Sequence, residues 1–329
     1  MQPEPTPAGI RAAIERIADL TVRTPIVDAV GLGEGVGLKL ESLQPTGSFK
    51  VRGAANRILT LDADERRRGV VTASTGNHGR AVAHIAATLG IPAAVCISRG
   101  VPPGKVAALR ALGCEVVIDG DSQDHAMENA LTLVAERGMT LVHPFDDPSV
   151  ICGQGTIGVE ILEQRPGTDT VIVPLSGGGL AAGILLAVKA ANPATRVVGV
   201  SMERAAVMAA SLEAGRPIEM PERPTLADSL QGGIGLDNAH TFRIVAELMD
   251  EVVLLSESEI WAGMRHALAA QRLVLEGGAA VGIGALLAGK VESNGEVVVV
   301  CTGANIEHRH LRDLVEELDV TSPAAHRRH

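Results

Sequence analysis

A lysine at position 50 follows a tight turn, and its neighbours set what it can do. The stretch Glu41 to Gly53 reads ESLQPTGSFKVRG. Val36, Leu38 and Leu40 alternate into it as a strand, while Val51, Ala55, Ile58 and Leu59 leave it at helical spacing. Ser48 is the expected N-cap, which puts Lys50 in the first helical turn. That end of a helix carries partial positive charge, so an ammonium is badly placed there and a neutral amine is favoured. A neutral lysine amine attacks an aldehyde and forms a Schiff base. A lone lysine on an exposed turn would do nothing of the kind, so the weight rests on the rest of the chain.

Three more stretches end strands and open helices with glycine or small polar residues. Ser74-Thr75-Gly76-Asn77-His78-Gly79 offers two hydroxyls, an amide and free N–H groups at a helix start, which suits a carboxylate. Ser176-Gly177-Gly178-Gly179-Leu180 follows the strand Val171-Ile172-Val173, and its successive glycines let N–H groups converge on a phosphate. Cys301-Thr302-Gly303-Ala304-Asn305 follows a fourth strand. Singly, each also reads as a βα turn, a cap or a satisfied core histidine. Gly177, Gly179 and Ala182 also match G-x-G-x-x-A, with Glu203 about twenty residues on, the fingerprint of a nicotinamide-dinucleotide site and of an oxidoreductase. That competitor leaves Lys50 and Asn77 unexplained.

The elements that must position these stretches alternate. The pattern predicts a helix over Ile10 to Val22, strands at 70–73, 92–97, 115–118 and 140–142, and helices at 79–89, 103–113 and 122–137. Near-continuous apolar runs at 170–175, 196–201 and 297–301 read as parallel strands covered on both faces. Ser256 and Glu259 form a capping box before a helix reaching Gln271. Residues 203–228 carry no regular pattern and read as a loop. Repeated βα units imply an α/β fold with doubly wound, mostly parallel sheets and ligands at the strands' carboxyl ends.

Composition narrows the class. The chain has 329 residues, is 46% apolar and carries a net charge of −10, which suits two domains and argues against a nucleic-acid surface. Aromatics make up only 1%, too few for base stacking. No apolar run reaches the length of about 18 residues that crosses a bilayer, so no membrane partner is expected and the location reads as cytoplasmic. Cys96, Cys114, Cys152 and Cys301 form no CxxC and read as buried thiols. His308 and His310, and the tail His326 to His329, read as exposed positions; no metal site is expected.

Together and in this order, PTGSFKVRGA, STGNHG, HPFDDPSVICGQGTIGVEI, SGGGL and LEGGAAVG resemble the fold-type II pyridoxal phosphate enzymes. The closest similarity is to the serine/threonine dehydratase and serine racemase family, from Arg23 to Asn305. The wording at 74–80 and 200–204 is similar to the hydroxyectoine-utilisation dehydratases. The resemblance implies a tryptophan-synthase-beta-like fold: residues 1–62 with 147–329 as a large cofactor domain, residues 63–146 as a small substrate-loop domain, and a homodimer. It implies pyridoxal phosphate held by Lys50 as Schiff base, with Phe49 beside the ring and Asn77 at the ring 3′-oxygen. Ser176, Gly177, Gly178, Gly179 and Leu180 would bind the phosphate, Thr302 would meet the pyridine nitrogen, and Glu276 would lie near the ring. Ser74, Thr75, Asn77 and His78 would hold the substrate carboxylate.

The implied reaction is loss of the β-hydroxyl from a threonine- or serine-like amino acid, giving a 2-oxo acid and ammonia, with Lys50 as general base. Racemisation or β-replacement on the same scaffold is the alternative: racemases of the family place a serine hydroxyl where this chain has Thr75. Ser201 and Val207 replace the family's cation-binding acids. Gly232 and Gly233 replace frequent serines, freeing space for a larger substrate. No C-terminal regulatory domain is expected.

Overall fold

The computed structural model describes residues 4–101 and 103–321; the tail His326 to His329 lies outside them. The chain opens with α1 (Pro7–Ile17), β1 (Ile26–Asp28), β2 (Val36–Lys39) and α2 (Lys50–Leu59). There follow α3 (Ala63–Arg68), β3 (Val70–Ala73), α4 (Asn77–Leu89), β4 (Ala93–Ile97), α5 (Pro103–Ala111), β5 (Glu115–Ile118), α6 (Gln123–Arg137) and β6 (Thr140–Leu141). Next come α7 (Pro148–Gln164), β7 (Thr168–Pro174), α8 (Gly179–Ala191), β8 (Arg196–Met202), α9 (Val207–Ala214) and α10 (Thr241–Leu248). The last elements are β9 (Glu251–Leu255), α11 (Glu257–Ala269), α12 (Gly277–Leu287), β10 (Glu296–Val300) and α13 (His308–Thr321).

These strands make two sheets. The 6-stranded sheet runs β1-β2-β10-β7-β8-β9, and the 4-stranded sheet runs β5-β4-β3-β6. Only β1 is antiparallel to its neighbour; every other pairing is parallel. The smaller sheet falls wholly between α2 and α7 in the sequence. In the larger one, Ile172, Val198, Val297 and Val299 pack on one face with α11 and α12, while Val171, Val173, Val197, Val298 and Val300 pack on the other with α7, α8 and α10. Strands covered on both faces need apolar residues at every position, which is why they read as unbroken runs.

Helix α7 fixes the geometry of the centre. It is buried around most of its circumference and touches two helices backbone to backbone. A Cβ at Gly153 would stand 2.7 Å from the Gly53 Cα of α2, and one at Gly183 of α8 would stand 2.5 Å from the Gly155 nitrogen. Only glycine permits that approach. The helix that begins at Lys50 and the helix that begins at Gly179 are therefore locked to one rod.

Several local expectations change. The first helix runs Pro7–Ile17 rather than 10–22, because Pro7 at its start and the Thr6 side chain set the N-terminus. Residues 203–228 contain α9, which Gly215 ends in the left-handed region at φ +67. Ser48 is not the N-cap of α2. Phe49 occupies that position without a side-chain cap, and Ser48 pairs with Gly303 in an isolated antiparallel bridge. Its hydroxyl is buried and has no hydrogen-bond partner among the described residues. Cys152 lies on α7, and Cys114 is half-buried rather than buried.

Candidate active site

Three chain segments meet at the start of α2. Phe49 N donates to Thr302 O at 3.0 Å, so the loop after β10 lies against the residue preceding Lys50. The Lys50 Nζ donates to the Pro144 carbonyl at 2.7 Å and lies 5.3 Å from the Phe49 ring centroid. Burial pulls its pKa down to about 8, with the Glu276 charge acting in the opposite direction. A substantial neutral fraction of amine at working pH is what nucleophilic attack needs.

Residue 145, next in sequence to the carbonyl that holds Lys50, reaches the glycine turn. A Cβ on Gly177 would stand 2.4 Å from the Phe145 ring, and one on Gly179 would stand 2.8 Å from the Phe145 Cα. Gly178 adopts φ +88 as the N-cap of α8. The turn thus presents backbone without side chains at a helix N-terminus, between Leu175, just past the end of β7, and a buried apolar helix. Such a turn cradles a phosphate. Ser176 is half-buried at its edge and Leu180 is buried inside it.

A second chain of contacts crosses from the small sheet to the large one. Asn77, at the start of α4, donates from Nδ2 to Glu276 Oε1 at 2.7 Å. Its Oδ1 accepts from Asn305 Nδ2 at 2.6 Å, and Asn305 Oδ1 accepts from Arg80 Nη1 at 2.9 Å. Glu276 caps the approach to α12, with its backbone N–H on the Gly303 carbonyl at 3.1 Å. Gly303 leaves it room, since a Cβ there would lie 2.6 Å from Oε1. Burial raises the Glu276 carboxyl to about 7, the nearby Asp228 charge adds to the rise, and hydrogen bonds from Asn77 and Ser229 oppose it.

Ser74 and Thr75 are half-buried in the β3–α4 turn, where Ser74 Oγ accepts from Gly76 N at 3.3 Å. His78 is buried, with Nε2 against the Val142 carbonyl at 2.9 Å and Nδ1 without a partner among the described residues. Burial, then the Lys50 charge, lowers its pKa to about 3, so it is a neutral imidazole. Thr302 is buried beside Phe49. Among the described residues no group of three or more His, Cys, Asp or Glu could hold a metal ion. No helix of the described residues is long and apolar enough to cross a membrane.

Sequence reading gave no role to Pro144, Phe145, Asp146, Asn305 or Arg80. The run HPFDDP carried a signal: Asp147 and Pro148 are a cap and a first helical residue, and Asp147 does accept from Ser149 N and Val150 N. That the preceding residues reach Lys50 had no local signature.

A family model described as "Pyridoxal-phosphate dependent enzyme" matches residues 17–303. A putative threonine dehydratase of Sinorhizobium fredii is 50% identical over 93% of this chain and 94% of its own length. The L-threonine ammonia-lyase of Thermotoga maritima is 41% identical over 91% of this chain and 75% of its own. Among solved structures, maize serine racemase superposes with a TM-score of 0.89 at 33% identity, covering 97% of this chain and 99% of that one. The processed threonine deaminase isoform 2 of Solanum lycopersicum gives 0.86 at 33%, covering 96% of each.

Proposed function

Since the chain belongs to the fold-type II pyridoxal-phosphate-dependent enzymes, in their serine/threonine dehydratase group, with pyridoxal phosphate as its cofactor and deamination of hydroxy amino acids as its reaction, we propose that Lys50 is its Schiff-base lysine. The observation that carries this is the meeting of Lys50 and the glycine turn at consecutive residues, Pro144 and Phe145. The residues fit the cofactor: a buried amine for its aldehyde, and a turn without side chains for its phosphate. The nicotinamide reading of Gly177, Gly179 and Ala182 gives way to this family assignment.

The roles proposed for the chain's own groups are those the family resemblance implies, and the closeness of these segments supports them. Gly177, Gly178, Gly179 and Leu180, with Ser176 at their edge, would hold the phosphate through N–H groups. Phe49 would flank the ring, Asn77 would meet its 3′-oxygen, Thr302 would face its nitrogen and Glu276 would lie alongside. Ser74, Thr75, Asn77 and His78 receive the substrate carboxylate. The bound cofactor supplies an electron sink. Lys50 removes the proton at the substrate α-carbon, and its lowered pKa suits it to act as a base near neutrality. Thr302 offers a neutral hydroxyl, which does not hold the ring nitrogen protonated as a carboxylate would; that favours expulsion of the β-hydroxyl.

The substrate is a threonine- or serine-like amino acid, with a hydroxyectoine-derived amino acid as the narrower form. The division into 1–62 with 147–329 and 63–146, the homodimer and the cytoplasmic location belong to the same proposal. Purified protein should show the visible absorbance of a lysine-bound cofactor and release ammonia from one member of a panel. The panel is serine, threonine, 3-hydroxyaspartate, phenylserine and hydroxyectoine-derived intermediates. Lys50→Ala should lose both signals; a variant that keeps either refutes the assignment. The likeness to maize serine racemase, with a hydroxyl at Thr75, favours racemisation or β-replacement as the second reading. A D-amino acid or a new β-substituent among the products would identify it.

A further inference from the structure

We infer that Asp146 is a positioning residue for Lys50: it fixes the segment 143–147 so that Pro144 turns its carbonyl to the lysine amine. The inference rests on the reading of Lys50 given above. Asp146 Oδ2 accepts from Ala239 N at 2.7 Å, and Oδ1 accepts from His240 N at 3.0 Å and Thr241 N at 2.9 Å. These are three consecutive donors at the start of α10, where the helix end is electropositive and a carboxylate is held most firmly.

The rest of the segment has no slack. His143 Nδ1 accepts from Phe145 N at 3.3 Å and Asp146 N at 2.8 Å. Asp147 caps α7 and pairs with Arg57 of α2 at 3.2 Å. Pro144 has no N–H, so its one polar backbone group is the carbonyl that receives Lys50 at 2.7 Å. Thr241, whose N–H Asp146 holds, also packs on the glycine turn: a Cβ at Gly178 would stand 2.9 Å from its Cβ. One carboxylate thus ties together the acceptor of the lysine, the Phe145 contact with Gly177 and Gly179, and the helix that backs Gly178.

Without this anchor the segment loosens and water reaches the amine. Burial is the first cause of the lowered Lys50 pKa, so hydration moves it back up. The charged or titratable groups that face Lys50 are Glu276, His78 and His143. Of these, His143 also feels the Asp146 charge, which raises its pKa, so loss of that charge leaves His143 more firmly neutral and does not itself push the Lys50 midpoint upward.

The test uses the full chain as apoprotein. An amine-reactive label is applied across a pH series, and the Lys50 peptide is quantified by mass spectrometry. Asp146→Ala should raise the Lys50 labelling midpoint by about half a unit or more. Asp146→Asn, which keeps one acceptor oxygen, should raise it less. Asn238→Ala is the control: it removes another cap of the same helix, the bond from Phe242 N to Asn238 Oδ1 at 2.8 Å, and should leave the midpoint in place. A folded Asp146 variant with an unmoved or lower midpoint overturns the inference, as does an equal rise in Asn238→Ala. Because the readout needs no cofactor, its failure is separable from failure of the Schiff-base assignment, which Lys50→Ala tests by absorbance.

Discussion

Asn77 Nδ2 donates to Glu276 Oε1 across 2.7 Å, joining residues 199 apart in sequence. One begins a helix of the small sheet and the other precedes a helix of the large sheet. The bond is the innermost of a line that continues through Asn305 to Arg80. It holds the carboxylate whose charge acts on Lys50, so the sheet-to-sheet contact and the tuning of the amine are one feature.

Glu276→Gln keeps the shape of that carboxyl and removes its charge. The charge of Glu276 raises the Lys50 pKa against burial. Its loss should therefore lower the Lys50 midpoint below about 8. Labelling of the apoprotein across pH reads this directly, and an upward shift would contradict the electrostatic account.

His78 should make the protein acid-sensitive. Its ordinary value of 6.5 falls to about 3 in the fold. The unfolded chain therefore binds a proton through that window while the folded chain does not, and stability is lost as pH falls below 6.5. The limit is on the order of 5 kcal/mol. In urea unfolding of the apoprotein at several pH values, His78→Gln should flatten this decline relative to the unaltered chain.

Gly177→Ala and Gly179→Ala should both weaken cofactor binding and destabilise the fold by about 1–3 kcal/mol, for different reasons. The added Cβ at 177 meets the Phe145 ring, whereas at 179 it meets the Phe145 backbone. In a Phe145→Ala background the 177 change should become mild while the 179 change stays costly. Cofactor titration and thermal melts of the double variants decide between these patterns.

Arg52 holds a buried charge cluster in the first turn of α2. It bonds Glu41 at 2.8 Å and Glu160 at 2.6 Å, and Lys39 reaches Glu160 at 2.5 Å. Arg52→Met leaves two buried carboxylates with one cation between them and should cost about 3–5 kcal/mol. Denaturant midpoints measure it. A loss well under 1 kcal/mol would mean that water reaches the cluster.

Much of the layout was legible in the residues. The apolar runs at β7, β8 and β10 marked strands buried on both faces, and all three lie inside the larger sheet. The capping box at Ser256 and Glu259 opens α11 as expected. Helix α7 escaped the pattern because a helix buried nearly all round has no polar face to set a period. Ser48 departs from the expected N-cap because cap propensity is local, while its pairing with Gly303 is set by the loop after β10, some 250 residues later.

Taken alone, the sequence determined the kinds of group available: one lysine after a tight turn, a triple glycine after a strand, and an amide and hydroxyls at a helix start. These follow from local backbone preferences, which short stretches encode. What it left open was which group faces which. The carbonyl of Pro144 at Lys50, the Phe145 ring against the glycines and the carboxyl of Asp146 on the start of α10 all join distant segments. Only close packing of two sheets around α7 brings them together, because such contacts depend on backbone separations of a few ångströms that no local pattern records.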